Sequence, residues 1–416
     1  TDCFVHHRRT RLNMQLSNRI LLAALILALA VWLSPVLAAD QPAAEKPEAE
    51  TALGVTDSQI RLGTWAPLSG DAAPWGAMAR GMDVYFQWLN QKGGINGRAL
   101  KLLMFDDRYD PAVTKAGVLK LTKEYGVFAF VGGVGARSGL AVMDYLAEHG
   151  LPWVGMACGA KALSHPPKKS VFSVRPTYID EAALLVKYAV EVLEKKRIAF
   201  IYENDVFGRE GLEGASRQLL GYNLKLAAQT PVQPGQMELS SHLAELKKAA
   251  PEAVLMFLTP VHAVILRRLA SAQGFEPLWI TGSALADAAV MDKLTGGLWA
   301  GTIYSSLGEL PYSQSSLLTQ YRQAFDKYAI PGERWGEFFY AGFGFAEPLV
   351  EGLRRCGRDL SRERFITEME KLRRFKGVLG HITYGPNRRQ GQKELFLAQA
   401  LKNGQVRQVS DWFVIE

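Results

Sequence analysis

The chain has 416 residues, of which 48% are hydrophobic and 21% are charged, so it is long enough to bury large cores in two or three domains. The formal net charge is +7, but four arginines and only one aspartate lie before residue 40. The other basic residues are spread along the chain, whereas a nucleic-acid-binding protein usually concentrates them on one face. Composition therefore argues against a nucleic-acid partner.

Cysteine and histidine usage limits the chemistry that the chain can support. Cys3 lies near the start, and only Cys158 and Cys356 follow. Two cysteines cannot form a disulfide scaffold, although one bridge between them is arithmetically possible. The sequence has no CxxC or HExxH motif, and its seven histidines are dispersed. We therefore expect neither a metal site nor a cofactor.

The first 39 residues have the pattern of a secretory signal peptide. Fourteen uncharged, mostly apolar residues at 20–33 follow a basic stretch. A helix of that length spans about 21 Å, short of the roughly 30 Å hydrocarbon core of a membrane, so a cleaved signal is favoured over a membrane anchor. The small residues at the end of the segment predict cleavage after Ala38 or Ala39 and a periplasmic protein.

The residues on either side of that signal are also interpretable. Residues 1–13 precede Met14, a candidate start residue, and we interpret them as an upstream extension of the reading frame. No cysteine lies near the cleavage site, so a bacterial lipid anchor is not expected. Residues 40–55 begin with a stretch rich in alanine, glutamate and proline, which predicts a flexible lead-in.

From residue 56 onward, short apolar runs alternate with segments of helical periodicity. Strands are predicted at 59–65, 100–105, 127–131, 151–156, 197–202, 253–257, 278–281, 394–401 and 406–413. Helices are predicted at 76–91, 112–124, 138–149, 180–194, 208–219, 261–273, 314–328 and 337–355. Because the pattern restarts after Arg175-Pro176, we expect two doubly wound α/β units with parallel sheets. Such units bind ligands in the crevice between their strand ends.

Several segments occur in the order typical of one family. The matching segments are 62–97, which contains PLSG at 67–70, and then 105–111, 131–138, 197–208, 376–380 and 383–385. Together they resemble the periplasmic leucine/isoleucine/valine-binding proteins over about residues 56–414. Each motif is short, and the specificity of the resemblance comes from the ordered set.

The resemblance implies a type I periplasmic binding protein, with two three-layer αβα lobes joined by three crossover strands and closing around a small ligand. On that model, residues 55–176 and 306–375 form the first lobe, and residues 177–305 and 376–416 form the second. It also implies delivery of the ligand to the permease subunits of an ABC importer. We expect a monomer.

The candidate ligand contacts lie at the expected strand ends. Ala136, Arg137 and Ser138 open a helix after a buried strand, where free N–H groups and the helix dipole favour an anion. Arg137 and Ser138 would add donors for a ligand carboxylate; the alternative is an N-cap serine and a solvated arginine. The loop lacks the third glycine of GxGxxG, and no Walker lysine is present, so a nucleotide ligand is not expected.

The resemblance adds further positions. Residues 157–159 align with a stretch whose backbone contacts ligand in the family, although a turn with a buried, inert thiol is the alternative. Trp75 matches a pocket aromatic and either stacks on the ligand or packs on its own lobe as a lid residue. Phe207 aligns with a pocket tyrosine. The full predicted ligand-binding set is Trp75, Ala136, Arg137, Ser138, Ala157, Cys158, Gly159, Phe207, Thr259 and Ser283.

Two departures from the family pattern concern the ligand. Ala136 stands where binders of branched-chain amino acids have a serine, and the loop at 281–285 offers no carboxylate to a ligand ammonium. A buried ammonium without a counter-charge is costly, so Asp205 or Asp287 would have to substitute. An amino acid is the first expectation, and an organic acid, an aromatic acid or an amide is the alternative.

An enzyme and a sensory module are the competing function classes. The sequence has no G-x-S-x-G motif, and Asp106-Asp107 is the only acidic doublet at a strand end, where the resemblance implies a structural role. No catalytic residue is therefore predicted. A sensory ligand-binding module would share the fold and the pocket and would differ by an attached signalling segment.

Overall fold

The computed structural model describes residues 50–415. The strands, in chain order, are β1 (Glu50–Ala52), β2 (Val55–Thr56), β3 (Gln59–Ala66), β4 (Ala99–Asp106), β5 (Ala129–Val131), β6 (Trp153–Val154), β7 (Val171–Phe172), β8 (Ile198–Glu203), β9 (Ala228–Val232), β10 (Ala253–Phe257), β11 (Leu278–Thr281), β12 (Ile303–Ser306), β13 (Phe375–Gly377), β14 (Gly380–Ile382), β15 (Glu394–Ala400), β16 (Val406–Gln408) and β17 (Phe413–Val414). The helices are α1 (Ala77–Gln91), α2 (Pro111–Lys123), α3 (Ala136–Glu148), α4 (Tyr178–Glu191), α5 (Val206–Gly221), α6 (Ser240–Ala249), α7 (Pro260–Ala272), α8 (Ala288–Thr295), α9 (Ser316–Tyr328), α10 (Glu337–Cys356) and α11 (Arg362–Glu370).

The predicted signal peptide lies outside the described residues, as do its cleavage after Ala38 or Ala39 and the first part of the predicted lead-in. Strand β1 lies within the lead-in stretch 40–55 and pairs antiparallel with β2. Within residues 50–415, no helix has both the length and the apolar character that a membrane crossing requires.

The first sheet has the strand order β1-β2-β3-β5-β6-β7, with β4 on the other edge of β3. Strands β3 to β7 are parallel, whereas β1 and β2 are antiparallel additions. Helices α1 and α10 pack against each other and against this sheet, and so do α2 and α3. The late helices α9 and α11 join the same half through their contacts with α1 and α10.

The second sheet has the order β16-β15-β12-β11-β10-β8-β9, with β17 on β15. Its first five strands in chain order are parallel, but β15 is antiparallel to β12. The sequence predicted purely parallel sheets, and the difference has a simple cause. The chain leaves this half along β12 and returns along β15, so the two strands run in opposite directions. The expected pair of αβα units is confirmed.

Three chain segments join the halves and are hydrogen-bonded to one another. Ser173 N donates to Arg389 O at 2.8 Å, and Gly391 N donates back to Ser173 O at 2.8 Å. The side-chain amide of Gln392 donates to Leu307 O of the remaining segment at 2.6 Å. The three crossovers therefore lie side by side and are joined by hydrogen bonds.

The third crossover is preceded by the β13-β14 hairpin, which packs against α10. Val378 N donates to Glu347 Oε2 of that helix at 2.8 Å. Residues 375–382 thus contact the first half, although the sequence placed the start of the second lobe's last segment at residue 376. The predicted lobe boundaries stay a prediction.

Close packing of α1 on α10 sets the position of α10. A Cβ atom on Gly81 would lie 2.0 Å from Phe339 O, and one on Gly342 would lie 2.1 Å from Met78 O. Only glycine allows the two backbones to approach this closely. The contact brings the first turns of α10 to the edge of the first sheet, where the candidate site is found.

Side-chain caps explain why helices begin just after strand ends. Asp110 accepts a hydrogen bond from Ala112 N at 2.7 Å, and Pro111 occupies the first turn of α2. Asp205 likewise accepts from Phe207 N at 2.9 Å to start α5. Aspartate at this position satisfies N–H groups that have no partner within the helix.

Several elements were absent from the sequence-based prediction. They are β1, β2, β7, β9, β12, β13, β14, α6, α8 and α11. Most are two to five residues long or carry a polar face, so their periodicity is weak. The predicted strand at 406–413 divides into β16 and β17, because the backbone turns away at Ser410, whose hydroxyl accepts from Leu397 N of β15 at 2.8 Å.

Candidate functional site

A cavity of about 60 Å³ lies between the two halves, where loops after strands of both sheets face each other. We call it the inner cavity. Its wall is formed by Trp75, Met78, Tyr109, Val134, Gly135, Ala157, Arg175, Tyr178, Phe207, Ser283, Ala284, Ala286, Ser306, Leu307, Gly308, Glu337, Phe338, Tyr340, Ala341, Phe345 and Leu379. The position is the one expected for ligands of open α/β sheets.

Aromatic rings form much of the wall. Trp75 and Tyr109 of the first half have ring centroids 5.4 Å apart. Tyr178 and Phe207 of the second half make an edge contact at 4.8 Å. Rings contributed by both halves give the inner cavity an apolar character that fits an apolar or aromatic portion of a ligand.

Trp75 also links the two halves directly. Its indole Nε1 donates a hydrogen bond of 2.7 Å to Ala284 O, which lies in the loop after β11. Separation of the two halves would break this hydrogen bond, so we expect it only in the closed arrangement. Trp75 thus lines the inner cavity and also forms a hydrogen bond between the two halves.

Replacing Trp75 with phenylalanine should keep an aromatic ring in the cavity wall and remove the hydrogen bond to Ala284 O. We expect the affinity for the ligand of the inner cavity to fall about fivefold to tenfold, because one hydrogen bond that forms on closure is lost. Trp335→Phe is the matched control, since Trp335 Nε1 donates to Pro311 O at 2.8 Å and Trp335 is not among the residues that line the inner cavity. Titration calorimetry on both variants checks the prediction, and equal affinity losses would contradict it.

Arg175 supplies a buried cation at the inner cavity. It lies in the first crossover and is 5% exposed. Its Nη2 donates to Glu181 Oε2 at 2.7 Å and to Ser283 Oγ at 2.8 Å, whereas its Nε donates to no acceptor in residues 50–415. A guanidinium with a spare donor beside a cavity is well suited to a carboxylate.

Glu337 supplies a buried carboxyl group on the same wall. It is the first residue of α10 and is 5% exposed. Its Oε1 accepts from Ser306 Oγ at 2.9 Å. Burial, and next the negative charge of Asp287, hold the pKa of Glu337 well above its ordinary value. The cavity therefore presents acidic and basic groups together.

A second, polar recess of about 290 Å³ adjoins the first at Tyr109. We call it the outer cleft. The first half contributes Asp71, Arg108, Asp110 and Arg137 to it, and the second half contributes Glu203, Asp205, Thr259 and His262. Charged groups of both signs thus face each other across the entrance, which fits an electrostatic contribution to closure.

The buried groups of the outer cleft form one network. His262 Nδ1 lies 2.5 Å from Glu203 Oε1, which also accepts from Thr259 N at 2.9 Å. Burial raises the pKa of Asp205 to about 6, and the charge of Glu203 adds to that effect. The positive charge of Arg137 lowers the pKa of the same carboxyl group, which indicates an attraction between the two halves at this point.

The predicted site residues fall into three groups according to whether they line the inner cavity, the outer cleft or neither. Trp75, Ala157, Phe207 and Ser283 line the inner cavity. Arg137 and Thr259 line the outer cleft. Ala136, Ser138, Cys158 and Gly159 line neither, and all of them stay predictions as ligand contacts.

Ser138 is engaged in a buried network instead. Its hydroxyl donates to Asp107 Oδ2 at 2.9 Å, and Thr114 Oγ1 lies 2.7 Å from both atoms. Asp106 meanwhile accepts from Leu68 N at 2.9 Å. Asp106 and Asp107 thus connect the loops after β3 and β4 through hydrogen bonds, which agrees with the structural role expected for this acidic pair.

Cys158 and Gly159 also have neighbours that account for them. Both Cys158 and Cys356 are buried free thiols, and burial raises the pKa of Cys158 to about 12, so its thiol is unreactive. A Cβ on Gly159 would lie 2.9 Å from Pro176 O of the first crossover. No group of three or more His, Cys, Asp or Glu side chains within residues 50–415 is placed to hold a metal ion.

Sequence reasoning missed Arg175, Glu337 and Ser306. Arg175 comes from a crossover and Glu337 from a helix that follows much later in the chain, so no strand-end motif contains them. A signal existed for Glu337, because it opens an otherwise apolar helix that begins EFFYAGFGF. An acidic residue among aromatics at a helix start is a candidate buried carboxyl.

Comparison with known proteins agrees with this geometry. The family model described as periplasmic binding protein matches residues 59–405. Leu/Ile/Val-binding protein homolog 2 of Brucella abortus is 25% identical over 340 residues, which cover 80% of this chain and 87% of that protein.

Solved structures show the same fold. A substrate-binding periplasmic protein from Ralstonia solanacearum has a TM-score of 0.79 and 26% identity, covering 84% of this chain and 100% of that one. A branched chain amino acid ABC transporter from Thermus thermophilus with bound valine has a TM-score of 0.78 and 17% identity, covering 86% and 97%. The chain therefore belongs to the periplasmic binding protein family, with the type I arrangement of two αβα lobes joined by three crossovers.

Proposed function

We propose that this protein captures an amino acid with an apolar side chain in the inner cavity and delivers it to an ABC importer. The observation that carries the proposal is a cavity walled by both halves, with apolar rings around it and buried charges of opposite sign within it. The names of relatives support the ligand class, since one is a Leu/Ile/Val-binding protein homolog and one solved structure contains valine.

The inner cavity offers complementary groups to each part of such a ligand. The rings of Tyr109, Tyr178 and Phe207 suit an apolar side chain. The carboxylate has two sources of donors, the spare Nε of Arg175 and the start of α3, where Gly135 borders the cavity. Positive charge and free N–H groups both stabilise an anion.

The transport role also needs export and a membrane partner. A leader at 1–39 with cleavage after Ala38 or Ala39 would send the protein to the periplasm, in keeping with its family. There a closed, liganded monomer would dock on permease subunits and open to release its ligand. An organic or aromatic acid, or an amide, in the same transport role is the alternative, because Arg175 fits any carboxylate.

A thermal-shift screen of the mature protein tests the proposal. The panel would contain the standard amino acids and, as matched probes, their deaminated acids, aromatic acids and amides. A ligand present at a hundred times its dissociation constant should add about 2.7 kcal/mol to the free energy of unfolding. Small-angle scattering on the same samples should show a smaller radius of gyration with the ligand than without it. Absence of any stabilising compound, or a ligand that leaves the scattering unchanged, would contradict the proposal.

A further inference from the structure

Glu337 is a buried residue of the inner cavity wall, and one of its two carboxyl oxygens accepts no hydrogen bond from the described residues. Ser306 Oγ donates to its Oε1 at 2.9 Å, but its Oε2 accepts no hydrogen bond from residues 50–415. The Tyr304 hydroxyl lies close enough to the carboxyl group to interact with it, but the two groups do not have the geometry of a hydrogen bond. A buried acceptor that lacks a donor costs free energy, which a suitable ligand group would recover.

The surroundings of Glu337 favour a positively charged or donating partner. Asp287 lies beside it, with its own oxygens occupied by Val290 N and Phe338 N, both at 3.0 Å. Arg334, the cation that acts on Asp287, belongs to an exposed part of the preceding loop. None of the ion pairs in the described part of the chain includes Glu337 or Asp287. Within the described residues, the carboxyl group of Glu337 therefore has no cation paired with it.

The basic group of the cavity is already balanced. Arg175 pairs with Glu181 at 2.7 Å, and both side chains are buried. It cannot also neutralise the acidic wall, but it retains the unpartnered Nε as a donor. The cavity thus offers one donor for an anion and one acceptor for a cation, contributed by different elements of the fold.

We propose that Glu337 is the specificity residue that binds the ammonium group of the ligand, so that the inner cavity selects an amino acid over its deaminated counterpart. This inference rests on the proposed function and assigns the cation contact to α10 of the first half. The loop after β11, where the sequence led us to look for a counter-charge, offers Ser283 instead of a carboxylate. Asp287, the substitute considered there, is occupied as the cap of α8.

The test compares leucine with 4-methylpentanoate, which has the same carbon skeleton and carboxylate but no ammonium. Titration calorimetry on the wild type should show at least about 100-fold tighter binding of leucine, because a buried charge-assisted hydrogen bond is made only with that ligand. Glu337→Gln should reduce leucine affinity about 10- to 100-fold and bring the ratio of the two affinities close to one.

Glu347→Gln is the matched control. Glu347 is a second buried carboxyl of α10, but it lies away from the cavity, and both of its oxygens are occupied, by the Tyr321 hydroxyl and by Val378 N. This variant should keep the wild-type preference for leucine. A Glu337→Gln protein that still prefers leucine as strongly as the wild type would overturn the inference.

A measurement on the wild type alone covers the case in which Glu337→Gln does not fold. The hydroxy acid 2-hydroxy-4-methylpentanoate carries a neutral donor at the position of the ammonium and should bind with intermediate affinity. Equal affinities for all three compounds would overturn the role of Glu337 while leaving transport of a carboxylate intact. If no compound of the wider screen binds with closure, the proposed function itself fails.

Discussion

Replacing Gly155 with alanine should lower the free energy of unfolding by about 3 to 5 kcal/mol. Gly155 follows β6 with a φ of +70°, and a Cβ there would lie 1.8 Å from Phe345 O. Backbone atoms cannot rotate away as a side chain would, so α10 itself must shift. The strain of a left-handed residue adds to the cost of the steric clash.

Gly150→Ala separates these two contributions. Gly150 has a φ of +59°, but a Cβ on it would meet nothing within 4 Å. Its replacement should therefore cost only about 1 to 2 kcal/mol from the left-handed conformation. Urea unfolding followed by circular dichroism measures both variants. Equal losses of stability would mean that the approach of α10 to β6 is looser than the structure indicates.

The same substitution should also affect the site. Phe345 lines the inner cavity, and Glu337 and Phe338 belong to the first turn of the same helix. A shift of α10 would displace the cavity wall, so Gly155→Ala should weaken ligand binding as well as stability, whereas Gly150→Ala should change stability alone. We therefore expect packing at a glycine behind the cavity wall to influence ligand recognition.

Local patterns predicted the parts of the fold that depend on local contacts. Met78, Met82, Phe86 and Leu89 recur at helical spacing, and all of them are buried on α1 (Ala77–Gln91). The carboxyl ends of the parallel strands converge, which is why residues after β6, β8 and β11 lie at the inner cavity. Periodicity and strand ends were sufficient for these features.

Contacts between remote segments were not predictable in the same way. Arg175 and Glu337 meet the inner cavity because the first crossover passes beside it and because α1 and α10 approach through Gly81 and Gly342. Neither contact can be predicted from residues that are neighbours in the sequence. The sequence therefore predicted a crevice at the strand ends, and from strand-end motifs alone it assigned the carboxylate contact to Arg137 and the counter-charge to Asp205 or Asp287; these assignments stay predictions.

Removing Arg175 while Glu181 remains should destabilise the protein by about 3 to 5 kcal/mol, because it leaves a buried charge unpaired. The two side chains are 5% and 1% exposed and 2.7 Å apart. Glu181 also accepts from Ser305 Oγ at 2.6 Å and from Ser283 N at 2.8 Å. The pair therefore joins the first crossover to β12 and to the loop after β11.

A double-mutant cycle measures this coupling. Arg175→Met and Glu181→Gln should each be strongly destabilising, and the double variant should recover most of the loss, since the glutamine still accepts from the serines and no lone charge remains. Asp57→Asn is the control, because it breaks the exposed pair with Arg358 and should cost less than about 1 kcal/mol. Additive single effects in urea unfolding would contradict the pairing.

The double variant also decides which arginine holds the ligand. It is expected to fold, so a loss of affinity for leucine can be attributed to the missing guanidinium, and about 10- to 100-fold is expected for one charge-assisted contact. Arg137→Ala should change that affinity less than about threefold, because Arg137 faces Asp205 in the outer cleft, where the potential between the halves is screened by solvent. The opposite ranking would assign the carboxylate to the side chain of Arg137, as the strand-end motif predicted. In that case the inner cavity would hold the apolar portion of the ligand while its charged end lay at the outer cleft.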